Sequence, residues 1–428
     1  MHTDPPPSAT PKPPRPFFGP QVVRAAFVLA AFGWGVGFYG PPVFLHAVGV
    51  RTGWPLALVS LAVTLHFLFG ALVVARLHRL HARFGLPATT ACGAAAAALG
   101  LLGWATASEP WQLFGAALLS GGGWVTMGAA AINAVIAPWF ARRRPLALAQ
   151  AYNGASIGGA LFTPLWVALI AALGFTGAAA LVGLVMTGVV ATLAFTVFAR
   201  TPAGLGQAAD GDAPGTVMPK AAAVRPLPGR GLWRERRFVT LAAGMALGLF
   251  AQIGLIAHLF SLLVPALGAQ AAGVLMGLAT AAAIGGRFVA ARFVLAGAER
   301  CVDIAAGFAV QVLGTALLLA AGGTDAGLLV LGALLFGSGI GNATSLPPLV
   351  AQAEFAAPDV QRVVSLIVAI GQASYAFAPL AFGLLLAAGA GDDGAGRYFV
   401  AIAAVQLAAA ACYLAGRVRR PATELECP

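Results

Sequence analysis

Residues 118–123 read Leu-Leu-Ser-Gly-Gly-Gly, and residues 334–339, 216 positions later, read Leu-Leu-Phe-Gly-Ser-Gly. Other pairs lie 216 or 218 residues apart, each at the same place in the order of apolar segments: Gly70 with Gly286, Arg144 with Arg362 and Ser156 with Ser374. One such match in an Ala-rich and Gly-rich chain would mean little, but several at one spacing indicate an internal repeat. The sequence therefore predicts two similar halves in parallel order.

Composition places these halves in a lipid bilayer. Of the 428 residues, 60% are apolar and only 9% are charged, and the mean hydropathy is +0.88. A water-soluble domain could not bury so much apolar surface. The 55 glycines suit helices that pack closely within lipid. A net charge of +11 raises the question of nucleic acid, but the basic residues are scattered through short loops, so we expect no nucleic-acid partner.

Twelve apolar runs are long enough to cross about 30 Å of hydrocarbon. The runs of the first half are Arg24–Val48, Trp54–Leu77, Leu86–Ala107, Trp111–Phe140, Pro145–Leu173 and Ala178–Ala199. Those of the second half are Phe238–Leu267, Ala271–Val294, Val302–Ala321, Ala326–Val350, Val363–Ala390 and Tyr398–Ala415. We therefore predict an all-α integral membrane fold of twelve transmembrane helices in two pseudo-symmetric six-helix bundles.

The predicted domains follow from these runs. A disordered Pro-rich tail (1–23) precedes the N-terminal bundle (24–199), a flexible linker loop (200–237) joins it to the C-terminal bundle (238–416), and a short tail (417–428) ends the chain. With both termini in the cytoplasm, all but three of the 25 Lys and Arg residues fall on the cytoplasmic side. This agrees with the positive-inside rule. The predicted outer loops instead carry acids: Glu109, Asp325, Asp392 and Asp393.

Short stretches resemble a known superfamily. Six plus six helices with a long middle loop are similar to the major facilitator superfamily, and residues 138–149, Pro-Trp-Phe-Ala-Arg-Arg-Arg-Pro-Leu-Ala-Leu-Ala, resemble the signature that opens the fifth helix in its monocarboxylate and oxalate/formate branch. Arg83 and Gly85 resemble the end of the loop motif that follows helix two, which implies a gating loop. Ala82 stands where that motif has its acid. The Gly286-Arg287 pair resembles one whose arginine binds substrate carboxylate, whereas the helix-eleven lysine of oxalate/formate exchangers has no counterpart.

Arg287 is the central candidate for substrate binding. It is the one basic residue placed inside a predicted helix, where a charge is costly and usually functional. A guanidinium can hold a carboxylate through two parallel hydrogen bonds. The alternative is that Arg287, within roughly 10 Å of the inner helix end, extends its side chain to the cytoplasm.

Two histidines are the candidates for proton coupling, because no Asp or Glu falls clearly inside a predicted helix. His66 in helix two and His258 in helix seven can titrate near neutral pH. A hydrogen-bonded packing role is the alternative for each. His78 and His81 have the spacing of metal ligands, but they lie in a basic loop without a third ligand, so no metal or cofactor is expected.

Polar and aromatic side chains complete the predicted site. In helix one, Trp34 and Tyr39 lie among glycines and two prolines that weaken the helix, and broken helices often line a solute path. Close helix packing is the alternative there, and hydrogen bonding between helices is the alternative for the polar residues. The remaining predicted substrate-binding residues are Tyr152, Asn153, Gln372, Tyr375, Gln252 and Asn342.

These features predict a secondary active transporter and not an enzyme. The phosphate-binding loop of ATP-driven pumps is not found in the sequence, so a gradient must drive transport. We expect a multi-pass protein of the bacterial inner membrane that moves a small organic anion, such as a monocarboxylate, by alternating access, with a proton as a candidate co-substrate. One alternative is an exporter of neutral or cationic drug-like molecules. Another is a membrane sensor or assembly partner that transports nothing.

Overall fold

The computed structural model describes residues 16–212, 231–295, 300–355, 357–388 and 393–417. Within these ranges the secondary structure is helical, without strands. The first fifteen residues of the predicted tail, residues 213–230 of the predicted linker and residues 418–428 lie outside the described residues.

Seven α-helical segments of the described residues form the first half. They are α1a (Gly19–Gly37) and α1b (Pro41–Thr52), α2 (Leu56–Phe84), α3 (Leu86–Thr106), α4a (Pro110–Trp124) and α4b (Ala129–Ile136), and one long helix, Arg144–Leu193. The first helix begins five residues before its predicted start. The long helix has 50 residues, which is roughly 75 Å and more than twice the hydrocarbon thickness. Gly174 divides it into α5 (144–173) and α6 (175–193), because its backbone has φ 69° and ψ 166°. Only glycine adopts that conformation readily.

The second half repeats this order. Its helices are α7 (Arg236–Leu267), α8 (Ala269–Leu295), α9 (Arg300–Ala320), α10 (Ala326–Glu354), α11a (Ala357–Ala376) and α11b (Ala378–Ala387), and α12 (Asp393–Ala415). Eleven helical stretches of the described residues are long and apolar enough to span a membrane, and one of them, 144–198, contains both α5 and α6. The predicted all-α membrane fold is confirmed.

The break in α1 is stabilised by side chains from other helices. Pro41 has no backbone N–H, so the carbonyl of Gly37 has no partner four residues later. His66 Nε2 fills that role at 2.8 Å. Trp166 Nε1 donates to the neighbouring carbonyl of Gly35 at 3.2 Å. Two of the carbonyls exposed by the break thus have donors from other helices, as is favourable at membrane depth.

Two further breaks interrupt helices that the sequence predicts as continuous. Helix four leaves helical geometry at Gly128, whose backbone is extended (φ −83°, ψ −167°), after a short 3₁₀ turn. Helix eleven breaks at Phe377, and the hydroxyl of Thr64 in α2 accepts a hydrogen bond from the backbone N–H of Leu380 at 3.1 Å. Gly128 and Pro379 mark these breaks in the sequence, but both lie within long apolar runs, over which the sequence predicts continuous helices.

The bundle has two distinct ends. The basic end holds residues 16–19, the α2–α3 and α4–α5 loops and residues 231–236. The acidic end holds the α1–α2 turn and the loops containing Glu109 and Asp325. Arg51 is a predicted exception at the acidic end. Its guanidinium donates to the carbonyls of Trp104 (3.3 Å) and Ala107 (2.8 Å) and so caps the end of α3.

The first part of the linker is docked at the basic end. Asp210, which is buried, accepts hydrogen bonds from the backbone N–H groups of Ala141 (3.2 Å), Arg142 (2.8 Å) and Arg143 (3.2 Å). Gln207 pairs with the start of helix one, accepting from the N–H of Phe18 at 3.0 Å. The flexible linker expected from the sequence therefore has an ordered beginning, which ties α1, the α4–α5 loop and the end of α6 together.

Candidate functional site between the two halves

The two halves meet mainly toward the acidic end. The rings of His46 and Phe260 contact each other near that end, with centroids 5.2 Å apart. Farther in, Thr64 caps α11b, and the glycine face of α8 packs on α5, where a Cβ at Gly277 would meet the carbonyl of Ala160. Along the helix axes, each of these contacts lies closer to the acidic end than Arg287 does.

Arg287 in α8 crosses from one half to the other. Its Nη2 donates to the hydroxyl of Ser156 in α5 at 2.7 Å. The arginine is half-buried, Ser156 is buried, and the Nε of the arginine is buried without a hydrogen-bond partner among the described residues. No carboxylate of the described residues lies within ion-pair distance of this guanidinium. The charge is thus held between the halves with unused hydrogen-bonding capacity.

Helix α10 fixes the stem of Arg287. A Cβ at Gly341 would overlap the Nε of Arg287, so the side chain lies directly on this glycine. One residue along, Asn342 donates to the carbonyl of Gly286 at 3.3 Å, while its Oδ1 is buried without a partner among the described residues. Gly286 itself lies against the carbonyl of Ser338, where a Cβ would not fit. The predicted pair Arg287 and Asn342 is therefore brought together.

Tyr39 lies on the other side of the same junction. Its ring packs on Gly159 of α5 beside Thr280 of α8, and its hydroxyl faces Thr280 within range of the charge of Arg287. Thr280 was not among the predicted residues. Its hydroxyl donates to the carbonyl of Met276 in its own helix at 3.0 Å, as helical threonines commonly do. The sequence around Thr280 therefore does not distinguish it from an ordinary helical threonine.

Trp34 and Tyr152 form the first part of an aromatic surface. Their centroids lie 6.3 Å apart, and Trp34 also packs edge-to-face on Trp124 at 6.1 Å. The hydroxyl of Tyr152 accepts from Asn133 at 2.8 Å, and Asn133 also accepts from Arg144 at 3.3 Å. Asn133 was missed because a single asparagine in an apolar run carries no distinct pattern.

Tyr375 brings the second half to this surface. Its ring lies 6.5 Å from that of Phe38 and 5.6 Å from that of Phe67, both edge-to-face. The predicted residues Trp34 and Tyr375 are thus linked through aromatic contacts that neither helix alone contains.

Three predicted residues lie apart from this group or make no side-chain hydrogen bond. Asn153 is exposed on the side of α5 that also carries Ile157 and Leu161. Gln372 is partly exposed and has no side-chain hydrogen bond among the described residues. Gln252 is 2% exposed, and its Oε1 has no partner among them.

His66 is built into the first half. Its Nδ1 lies 2.9 Å from the hydroxyl of Ser120 and its Nε2 lies 2.8 Å from the carbonyl of Gly37, and Trp104 Nε1 donates to Ser120 at 3.1 Å. Trp124 stacks on the imidazole at 6.1 Å with an interplanar angle of 10°. A neutral imidazole with Nε2 protonated satisfies every group in this network, which favours a packing role.

His258 differs in one respect. Its Nε2 bonds to the carbonyl of Pro379 at 2.9 Å, beside the break in helix eleven, but its Nδ1 is buried without a partner among the described residues. The ring of Tyr398 lies edge-on at 6.0 Å.

The predicted gating loop, Arg83 to Gly85, has a glycine turn, and Arg83 has no ion pair with a carboxylate of the described residues. Gly85 has φ 79° and ψ 157°, which requires glycine between α2 and α3. The guanidinium of Arg83 lies 5.1 Å from the ring of its neighbour Phe84. At this end of the bundle the ion pairs of the described residues are instead those of Arg142 with Asp210 and Asp212.

Comparison with known proteins agrees with this architecture. The fold is similar to the crystal structure of the nucleoside transporter NupG (TM-score 0.72, 12% identity, covering 93% of this chain and 98% of that one). It is also similar to a bacterial homologue of the human lysosomal transporter Spinster in an inward-facing, unoccupied conformation (TM-score 0.69, 15% identity, covering 94% and 97%). At such identities the likeness concerns the fold alone. A search of the curated proteins found no match.

The sequence comparison is more direct. Residues 23–379 match the family described as Major Facilitator Superfamily, which is most of the chain and includes both halves of the site described above. Members of this family carry small solutes across membranes and are not enzymes. The chain is a multi-pass transporter that belongs to the Major Facilitator Superfamily.

Proposed function

We propose that this transporter moves a small organic anion, such as a monocarboxylate, across the bacterial inner membrane by alternating access, with Arg287 as the anion-binding group. The observation that carries the proposal is the half-buried guanidinium between the halves, bonded to the neutral Ser156 and to no carboxylate of the described residues. A buried cation without a counter-charge is costly, and an incoming carboxylate supplies that charge.

The same bond suggests how binding and movement are coupled. Arg287 belongs to the second half and Ser156 to the first, so their hydrogen bond must lengthen whenever the halves separate at this level. A carboxylate that takes the N–H groups of Arg287 replaces one hydrogen bond to a neutral hydroxyl by two hydrogen bonds to an anion. Solute binding thus compensates for releasing the contact between the halves, as alternating access by rocking requires.

The basic end is proposed to face the cytoplasm, with both termini there, following the positive-inside rule. Contacts between the halves nearer the acidic end would then close the outer side of the solute path. If a proton is co-transported, His258 is the better of the two candidates, since its Nδ1 has no partner among the described residues.

Reconstitution tests the proposal. The purified full chain in proteoliposomes is preloaded with an unlabelled monocarboxylate, and uptake of the labelled compound is followed by counterflow. We expect uptake above that of empty liposomes, and uptake by Arg287→Ala proteoliposomes near the background. Carboxylate counterflow that is equal in Arg287→Ala and wild type would overturn the anion assignment and leave a facilitator of some other solute.

A further inference from the structure

The proposed carboxylate site adjoins a surface made of five aromatic side chains from both halves, called here the aromatic wall: Trp34, Phe38, Trp124, Tyr152 and Tyr375. Trp34 packs on Trp124 (6.1 Å) and Tyr152 (6.3 Å), and Phe38 packs on Trp124 (6.4 Å) and Tyr375 (6.5 Å). The contacts are therefore continuous from the first half to the second.

Most of the aromatic wall lies at the breaks within α1, α4 and α11, and the wall is partly open. Trp34, Phe38, Tyr152 and Tyr375 are each partly exposed, whereas Trp124 behind them is buried. Tryptophan and tyrosine are mostly well buried in folded proteins, although seldom completely. Partial exposure of four neighbouring rings leaves apolar surface available to a flat solute.

Arg287 lies at the margin of this surface. Its partner Ser156 is one helical turn from Tyr152 on the same face of α5, so their Cβ atoms are roughly 5–6 Å apart. From the other direction, Tyr39 lies within range of the charge of Arg287 while its ring contacts that of Phe38 at 5.0 Å. A solute bound to the guanidinium therefore has aromatic surface within reach on the side of the first half.

We infer that the transported anion is a carboxylate that carries an aromatic ring or a similarly flat apolar group, with its carboxylate on Arg287 and its flat group on the aromatic wall. This rests on the proposed function and adds the nature of the solute body. Acetate or lactate would bind to the guanidinium of Arg287 without contacting the aromatic wall. A ring of benzoate size can also form edge-to-face or offset contacts, the arrangement that aromatic side chains favour.

Binding to the purified full chain separates these solutes. Isothermal titration calorimetry with benzoate, phenylacetate, acetate and lactate, and with the uncharged benzamide, measures the contribution of the ring and of the charge. We expect the two aromatic acids to bind at least about tenfold more tightly than acetate and lactate. Benzamide, which has the ring without the charge, should bind weakly.

Substitutions locate the ring site. Trp34→Ala should reduce the preference for benzoate over acetate at least about fivefold, and Trp34→Phe should restore most of it. Trp111→Ala is the matched control, because Trp111 is 71% exposed at the acidic end and far from the site. If Trp34→Phe restores the preference for benzoate, the loss in Trp34→Ala comes from the missing ring and not from a general loss of folding.

The outcomes distinguish the two levels of the proposal. Acetate or lactate binding as tightly as benzoate, or a preference unchanged in Trp34→Ala, would overturn the aromatic assignment and keep the anion transporter. If benzamide or a nucleoside binds well and no carboxylate does, both the aromatic acid and the proposed function are overturned.

Discussion

The Nη2 atom of Arg287 lies 2.7 Å from the Oγ atom of Ser156, and this hydrogen bond joins the eighth helix of one half to the fifth helix of the other. Both residues occupy positions named by sequence reasoning, yet their contact is a property of the assembled bundle. In the proposed alternating access the two halves move relative to each other, so a bond of this kind is a point where solute binding can influence the movement.

Removal of the serine hydroxyl tests whether Ser156 competes with the solute. In the proposed binding step a carboxylate replaces Ser156 on the guanidinium, so Ser156→Ala should leave the anion affinity unchanged or raise it by up to about tenfold, the value of one hydrogen bond between a charged group and a neutral one. Calorimetric titration with benzoate measures this. Thr192→Ala is the control, since Thr192 is exposed and bonds only within its own helix. A tenfold loss of affinity would instead make Ser156 a direct ligand of the anion.

His66 should matter for stability. His66→Ala leaves the carbonyl of Gly37 without its donor at the break in helix one and opens space beside Trp124. We expect the folded state to lose about 2–4 kcal/mol, seen as a lower melting temperature in detergent. His78→Ala, at an exposed position in the last two turns of α2, should melt like wild type. Equal melting temperatures for the two variants would refute the packing role.

His66 and His258 give opposite expectations for pH dependence. His258 has a buried Nδ1 without a partner among the described residues, whereas both ring nitrogens of His66 are occupied. If transport is proton-coupled, His258→Gln should flatten the pH profile of uptake and His66→Gln should keep its shape at a lower amount of folded protein. Uptake into proteoliposomes at a series of external pH values measures this. Loss of the profile in His66→Gln alone would reverse the assignment.

Asp210 should hold the linker to the first half. Burial tends to raise the pKa of its carboxyl, but hydrogen bonds from the backbone N–H groups of Arg142, Arg143 and Ala141 and the charge of Arg142 outweigh it, so the pKa lies below its ordinary range. A lowered pKa in the folded state means that the stabilisation is complete above the unfolded-state pKa. It is lost as the pH falls through the lower folded-state value.

Two variants measure this contribution by thermal melting at neutral pH. Asp210→Ala should destabilise by about 2–4 kcal/mol, because three donors lose a charged acceptor. Asp212→Ala, which removes the exposed ion pair with Arg142, should cost at most about 1 kcal/mol. Equal losses of stability in the two variants would indicate that the backbone hydrogen bonds to Asp210 add no more stability than the exposed ion pair of Asp212.

Close helix contacts also give a matched pair. A Cβ at Gly154 would overlap the carbonyl of Phe27, so Gly154→Ala should force α5 away from α1 and cost about 1–3 kcal/mol. Nothing lies within 4 Å of a Cβ at Gly188, so Gly188→Ala should be neutral or slightly stabilising. Melting temperatures of the two variants report the difference. A stable Gly154→Ala protein would mean that the two helices can separate without loss.

Much of the fold was predictable because each helix carries its own signal. The length of an apolar run identifies a membrane helix independently of its neighbours. The repeated stretches around Gly121 and Gly337 indicate that the chain consists of two similar halves. The end of α5 was predicted at Leu173, directly before Gly174, whereas α6 begins three residues before its predicted start because Gly174 turns the chain without ending the hydrogen-bonded pattern of the long helix. The break at Phe377 was missed, because the acceptor for the freed N–H of Leu380 is Thr64, more than 300 residues away in sequence.

The candidate site was predictable in its residue types and not in its contacts. Arg287 stands out because a charge within an apolar run is costly, whatever surrounds it. Asn133 and Thr280 do not stand out, because isolated polar residues in helices usually bond to their own backbone, and only packing brings them to Tyr152 and Tyr39. The docking of Asp210 depends on a turn in which this residue has φ 60°, a conformation that no local pattern announces.

The anion-binding role of Arg287 is tested most directly by the affinity of purified variants for benzoate and for its uncharged amide. Arg287→Lys keeps the charge without the paired N–H groups and should bind benzoate at least about tenfold more weakly. Arg287→Ala should lose about a hundredfold, while the weak binding of benzamide stays the same. Arg79→Ala, at an exposed position near the basic end of α2, serves as the control for charge alone. Benzoate affinity in Arg287→Ala equal to that of wild type would contradict the role given to this arginine.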